Sequence, residues 1–130
     1  MPEQDSPDFI VCVDSNPVVV RINGKANYLN CSPVNDFFEM MVSSGHREFL
    51  VDFTECQGMD STFLGVLAGV ACKTMQHEPQ GSVILANLSA GNKQLIRGLG
   101  LHHLPTVVIR DDVPMDFSRC EQKVTIKGLE

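Results

Sequence analysis

The stretch REFLVDFTECQGMDSTFLGVLAGVACK, residues 47–73, joins two different hydrophobic periods through a short polar loop, and that change of period decides the fold class. From Arg47 to Thr54 the residues are almost continuously apolar, the pattern of a strand covered on both faces. From Asp60 to about His77, Phe63, Leu64, Val66, Leu67, Val70, Ala71 and Met75 make a broad apolar face too long for a strand, so the segment is predicted to be a helix. Asp60 occupies the N-cap position. Gly65 and Gly69 fall four apart on one face and each lower helix propensity by about 1 kcal/mol relative to alanine. They are therefore expected to permit close packing of this central helix against a strand.

Outward from this unit the alternation continues. Upstream, FIVCV (Phe9 to Val13) and PVVVRIN (Pro17 to Asn23) are β-branched runs separated by a turn-rich DSN, which predicts a hairpin. NGKANYLN reads as a turn. Ser32 before Pro33 is a predicted N-cap with proline at the first helical position, followed by Val34, Phe37, Phe38, Met41 and Val42 at helical spacing and Gly45 past the end. Downstream, Gly81 to Ser89 is a predicted strand, Ser89 a cap for a short helix striped by Leu95, Ile96 and Leu99, and Leu104 to Arg110 a last strand. Pro114 is placed to start a short helix with Phe117, Cys120 and Val124 on one side. The resulting order is that of a single α/β domain with about five strands, a parallel portion among them, and about four helices.

Composition bounds the partners. The chain has 130 residues, enough for one domain with its own core, and 16 Asp plus Glu against 10 Lys plus Arg give a net charge of -6. That sign is wrong for a nucleic-acid or anionic-membrane surface, so a protein or small molecule is the expected partner. Five cysteines, an odd and widely spread set without a C-x-x-C pair, indicate neither a disulfide framework nor a zinc site. The polar, acidic start lacks the pattern of a signal peptide and no apolar run reaches membrane-span length, so cytoplasmic residence is expected, with no metal and no cofactor.

Asp60, Ser61 and Thr62 sit where a loop following a buried strand enters a helix, the end of an α/β sheet at which sites gather. Asp60 as a cap accepts a bond from an N–H two or three residues on, a role complete in itself. Ser61 and Thr62 then lie in the first turn, before the apolar face begins at Phe63, and a hydroxyl there faces solvent. A phosphate on it would gain from the helix dipole and meet repulsion from Asp60, which makes a charge switch. Spacing leaves both readings open. A hydrolase would need a base near Ser61, and His46, His77, His102 and His103 stand in no recognisable relation to it, nor is GMDSTFLG the G-x-S-x-G elbow. Cys56 in the same loop reads as a structural thiol rather than a reactive one. Asp52, on the strand, reads as a carboxylate holding N–H groups of the next loop, or as part of the same site. INGKAN and RGLGLHH lack the glycines of a phosphate loop or a dinucleotide turn.

FLVDFTECQGMDSTFLGVLAGVACK, residues 49–73, resembles the signature of the STAS domain family: a hydrophobic strand with Asp, a short loop, then Asp-Ser and a helix rich in Gly and Leu. VILANLS, LIRGLGLHHL and the early VVVRINGKAN extend the resemblance over roughly residues 9–110, leaving 111–130 as a C-terminal extension. For a stand-alone bacterial member the resemblance implies a non-enzymatic anti-sigma-factor antagonist that works in transcription regulation by partner switching. Ser61 would be phosphorylated by a serine kinase of the histidine-kinase-like ATPase fold that doubles as the anti-sigma factor. A metal-dependent serine phosphatase would reverse this, and the unphosphorylated form would bind the kinase. Asp52, Asp60, Thr62, Phe63 and Gly65 would support the partner-binding surface. The family often continues its motif Ser-Gly-Leu-Gly, whereas here it runs Thr62, Phe63, Leu64, Gly65, so the direction of the Phe63 side chain decides whether that surface is the usual one. The alternative is a STAS-like module, never phosphorylated, that holds an anion, nucleotide or lipid at the helix start.

Overall fold

The computed structural model describes residues 8–115, 120 and 123–127. Strands β1 (Phe9–Cys12) and β2 (Val18–Ile22) form the expected antiparallel hairpin, with Val11 opposite Val20. A short strand β3 (Gly24–Ala26) leads to helix α1 (Cys31–Ser43), and strand β4 (Glu48–Asp52) is followed by β5 (Cys56–Met59) and helix α2 (Ser61–Met75). Strand β6 (Ser82–Ala86), helix α3 (Ala90–Gly98), a 3-10 turn (Leu101–His103), strand β7 (Val107–Arg110) and strand β8 (Lys123–Ile126) complete the order.

The main sheet runs β7-β6-β4-β2-β1-β8, with β2, β4, β6 and β7 parallel and β1 antiparallel to both its neighbours. Because the β-strand period is two, alternate residues take opposite faces. Phe9, Val11, Val18, Val20, Ile22, Phe49, Val51, Val83 and Leu85 are buried with α1 and α2, whereas Leu50 and Ile84 are half-buried. The run at 47–54 is thus one face in the core and one only partly covered. On α2 the buried set is Phe63, Leu64, Val66, Leu67, Val70, Ala71 and Thr74. Thr74 is a polar residue the apolar pattern passes over, and it is satisfied by the Ala71 carbonyl and by Thr106 Oγ1 at 2.8 and 3.1 Å.

Several expectations are corrected. The sheet has six strands rather than five, and three α-helices are found among the described residues. The predicted turn at NGKANYLN contains β3, and the loop at ECQG contains β5; the two pair in parallel as a separate ribbon under the start of α2. Neither has a hydrophobic alternation, so tertiary pairing makes them. The N-cap position of α1 is Asn30, not Ser32, and its side chain makes no capping bond to the helix; instead the Asn30 carboxamide accepts the Asn27 N–H at 2.9 Å and donates to the Lys25 carbonyl at 2.7 Å, which sets the chain direction before Ser32. Pro33 falls inside the first turn, where an N–H has no intrahelical partner to lose. On α3 only Ile96 of the expected stripe is buried, while Leu95 and Leu99 are exposed. Beyond Pro114, residues 116–119 and 121–122 of the expected helix lie outside the described residues, and Val124 belongs to β8, antiparallel to β1. Cys12 and Cys120 form a disulfide despite their separation of 108 residues, because the pairing of β8 with β1 brings the approach to β8 beside the end of β1.

The correction with most bearing on function concerns Gly65 and Gly69. Both are exposed, and a Cβ built on either meets nothing within 4 Å, so they do not serve close packing against a strand. Their face is the one opposite the core. Since each glycine sits in open space in a helix interior, Gly65→Ala and Gly69→Ala are each expected to raise stability by about 0.5–1 kcal/mol. Urea unfolding checks this through a higher midpoint at constant slope, and a lowered midpoint for either would show that the face is packed.

Candidate functional site

The start of α2 is fixed by one carboxylate. Asp60 has extended backbone, and its Oδ1 accepts the Phe63 N–H at 3.0 Å while its Oδ2 accepts the Tyr28 N–H at 2.9 Å. The Asp60 N–H donates to the Ala26 carbonyl at 3.2 Å, tying the helix start to the end of β3. The expected cap is therefore present, and it also holds the turn that carries Tyr28 and Leu29. Those two side chains are 70% and 57% exposed, a pair of large apolar groups held beside the helix start. The only hint of them in the sequence is a Tyr-Leu pair framed by asparagines.

Ser61 and Thr62 follow as exposed residues of the first turn, and among the described residues neither hydroxyl is engaged in a hydrogen bond. Phe63 points inward: it is fully buried and stacks on Phe9 with ring centroids 6.0 Å apart. Its bulk fills the core and adds nothing to the outer face. Ser61, Gly65, Gly69 and Cys72 instead make an exposed stripe of small side chains along α2. The structure thus brings Asp60, Ser61, Thr62 and Gly65 to one surface and sends Phe63 to the other side of the helix.

Asp52 belongs to a different cluster. Its side chain is fully buried at the end of β4, where Arg21 Nε donates to Oδ2 at 2.8 Å. Oδ1 accepts from the Thr54 N–H at 3.1 Å, the Thr54 hydroxyl at 2.6 Å and Asn87 Nδ2 at 3.0 Å. Burial pushes the carboxyl up, but the hydrogen bonds from Thr54, Asn87 and Arg21 together outweigh it and hold Asp52 below its ordinary 3.8. None of these partners is shared with Asp60. Asp52 braces the loop between β4 and β5 and does not reach Ser61.

The histidines sit at the other end of the domain. His77 follows the C-terminus of α2, a 15-residue helix and so about 22 Å long, and His46 precedes β4. His102 and His103 form the 3-10 turn that leads into β7. Ser61 lies where the parallel strands finish, and all four imidazoles lie where they begin. Cys56 Sγ is 3.4 Å from the Gly58 carbonyl and 3.7 Å from Asn92 Nδ2, and burial pushes this thiol up, away from the thiolate a nucleophile needs. Beside the helix start, Lys25, Ala26, Asn27, Gly58, Met59 and Asp60 line a shallow cleft of about 200 Å³. Small-ligand pockets typically occupy about 300–1,000 Å³.

With this geometry in hand, the chain can be compared with known proteins. A family model described as "Mlab, STAS domain" matches residues 11–109. Among solved structures, the chain is similar to the Bacillus cell fate determinant SpoIIAA in its phosphorylated form, with a TM-score of 0.66 and 19% identity over 81% of this chain and 91% of that one. It is also similar to the anti-sigma factor antagonist SpoIIAA in its unphosphorylated form, with a TM-score of 0.60 and 18% identity over 74% and 80% of the two chains. A Thermotoga maritima protein provisionally assigned as an anti-sigma factor antagonist gives 0.63 and 18% over 73% and 80%. At such identities these structures share the fold. No curated protein sequence matches the chain.

The Asp52 cluster carries a pH prediction. A folded-state carboxyl held below 3.8 contributes stability above the unfolded value and loses it as pH falls through the folded one. Asp52→Asn, which removes the buried carboxylate that Arg21 and Thr54 bind, is expected to cost about 2–3 kcal/mol at pH 7 and to flatten the acid limb of the stability curve below about pH 4. Denaturant unfolding at a series of pH values checks both. A variant with an unchanged acid limb would remove Asp52 as its source.

Proposed function

The chain belongs to the STAS domain family, and we propose that within it the protein is a binding module of the anti-sigma-factor-antagonist kind, switched by phosphorylation of Ser61. The observation that carries this reading is the exposed, uncommitted Ser61 hydroxyl at the first position of α2, beside a carboxylate whose two oxygens are both engaged. Such a hydroxyl is open to a kinase, and Asp60 serves the backbone N–H groups of Phe63 and Tyr28. A phosphate on Ser61 adds about two negative charges at the head of the stripe formed by Gly65, Gly69 and Cys72. The bare stripe, flanked by Tyr28 and Leu29, lets a partner's side chains or backbone approach the helix closely. The phosphorylated stripe meets the same partner with charge that must be desolvated or repelled.

The partners in this reading are a serine kinase of the histidine-kinase-like ATPase fold that is also an anti-sigma factor, and a metal-dependent serine phosphatase that restores the free hydroxyl. The protein itself is then a substrate and a competitor for binding, working in the cytoplasm on transcription. Phe63 leaves the docking face unaltered because its ring is in the core. The alternative of a nucleotide or lipid held at the helix start is disfavoured by the cleft there, whose roughly 200 Å³ is smaller than a usual ligand pocket, and a small anion would face the Asp60 carboxylate in its lining.

Incubation with the cognate kinase and ATP is expected to add one phosphate to the peptide containing Ser61 and none to Ser61→Ala. Ser61→Asp is expected to bind the kinase roughly tenfold or more weakly than Ser61→Ala, about 1.4 kcal/mol, and Gly69→Arg to lose binding without losing stability. Mass spectrometry and titration calorimetry read these outcomes. Equal affinities for the aspartate and alanine variants would sink the switch, and an unmodified Ser61 peptide would sink the phosphoacceptor.

A further inference from the structure

We propose that Cys12 and Cys120 form a reversible thiol–disulfide latch that fastens β8 to β1, so that the redox state of the pair decides which strand ends the sheet. The two cysteines are bonded with Cα atoms 6.0 Å apart. Cys12 is the last residue of β1 and stands opposite Lys123, the first residue of β8, so the sulfur link closes one end of the strand pair. At the other end the Asp8 N–H donates to the Ile126 carbonyl at 2.9 Å. β8 has β1 as its one neighbour in the sheet order.

Side-chain burial holds β8 weakly. Val124 is 47% exposed, Thr125 is exposed, and Ile126 packs against the core only in part. Among the described side chains of this four-residue strand Ile126 is the one anchor, and among the described residues β1 is its one strand partner; such pairings are marginal in water. Cutting the link therefore lets β8 leave while the five strands β7-β6-β4-β2-β1 keep their core. The N–H and C=O groups on the outer edge of β1 then become available to another extended segment.

The surroundings of the sulfurs suit a bond that is made and broken. Cys120 is half-buried, whereas Cys12 is 5% exposed, so Cys120 is the more approachable sulfur. Asp14 Oδ1 lies 3.0 Å from Cys12 Sγ and 3.3 Å from Cys120 Sγ, close enough to accept the S–H hydrogens of the reduced pair. In closing, the Cys120 thiolate attacks glutathione disulfide and one glutathione leaves as thiolate; the Cys12 thiolate then attacks the mixed disulfide and the second glutathione leaves. The cysteine pair gives up two electrons and two protons, and glutathione disulfide becomes two molecules of glutathione. Opening is the reverse. Protein disulfides in reducing compartments are commonly of this transient kind.

The latch is independent of Ser61 and is tested without it. The natural chain is equilibrated in buffers of reduced or oxidised glutathione, its disulfides are mapped by alkylation and peptide mass, and amide hydrogen exchange is followed over residues 61–75 and 123–126. The expected result is one bond, Cys12 to Cys120, in the oxidised sample, with exchange over 123–126 roughly tenfold or more faster after reduction and no change over 61–75. Cys120→Ser is expected to show the fast exchange in both buffers. Equal exchange over 123–126 in the two states would overturn the latch, as would pairing of Cys12 with any other cysteine.

Discussion

Asp60 has two carboxylate oxygens and gives one to each side of the helix start, Oδ1 to the Phe63 N–H and Oδ2 to the Tyr28 N–H. The first bond satisfies a donor that α2 cannot satisfy within itself, a contribution of about 1 kcal/mol in ordinary caps. The second ties a distant turn to the same point and holds Tyr28 and Leu29 beside Ser61. The acid next to Ser61 thus orients the backbone of the helix start, and the Ser61 hydroxyl beside it is left exposed.

What fixes the cap on the outside is matched by packing on the inside. Phe63, whose N–H receives the cap, stacks its ring on Phe9 of β1, so the first turn of α2 is held from both directions. A buried phenylalanine side chain contributes about 1.5–3 kcal/mol. The core lies on one side of the helix, and the glycines at 65 and 69 lie on the other, in open space. Glycines in such positions weaken a helix by about 0.5–1 kcal/mol each and return no packing. They leave the outer face of α2 without side-chain bulk, which is what the proposed docking requires.

Much of this was legible in residue order. Strong periodicity located the hairpin, the three helices and the parallel strands, and the acid before an apolar face located the cap. Three features were not legible, each for a physical reason. β3 and β5 are three and four residues long with no alternation, and they exist because the chain entering α1 and the chain entering α2 are tied together by Asp60. β8 carries two exposed residues out of the three whose burial is described, so no hydrophobic pattern marks it, and the bond from Cys12 to Cys120 follows only once β8 is placed. The glycine spacing on α2 marks a single face, and that face is the solvent side and not the packed one. A sequence shows that two glycines share a face, whereas deciding between core and solvent requires the phase of the apolar residues around them. Here Phe63, Leu64, Val66, Leu67, Val70 and Ala71 fix that phase with the glycines outward.

The proposed switch must act locally, and the charge of the chain shows why. The protein already carries -6, so a phosphate with about two more negative charges changes the total by roughly a third. At physiological ionic strength exposed charges are screened beyond about 8 Å, so most of the acidic surface cannot sense the change and neither can a partner bound elsewhere. Only a partner that covers the first turn of α2 meets the phosphate at short range and with its hydration removed. Asp60, fixed in place by its two bonds, lies at the same spot, so the added phosphate falls beside a carboxylate. The switch therefore works by exceeding a local limit at Ser61, and the small residues that follow along α2 ensure that a docked partner is close enough for that limit to matter.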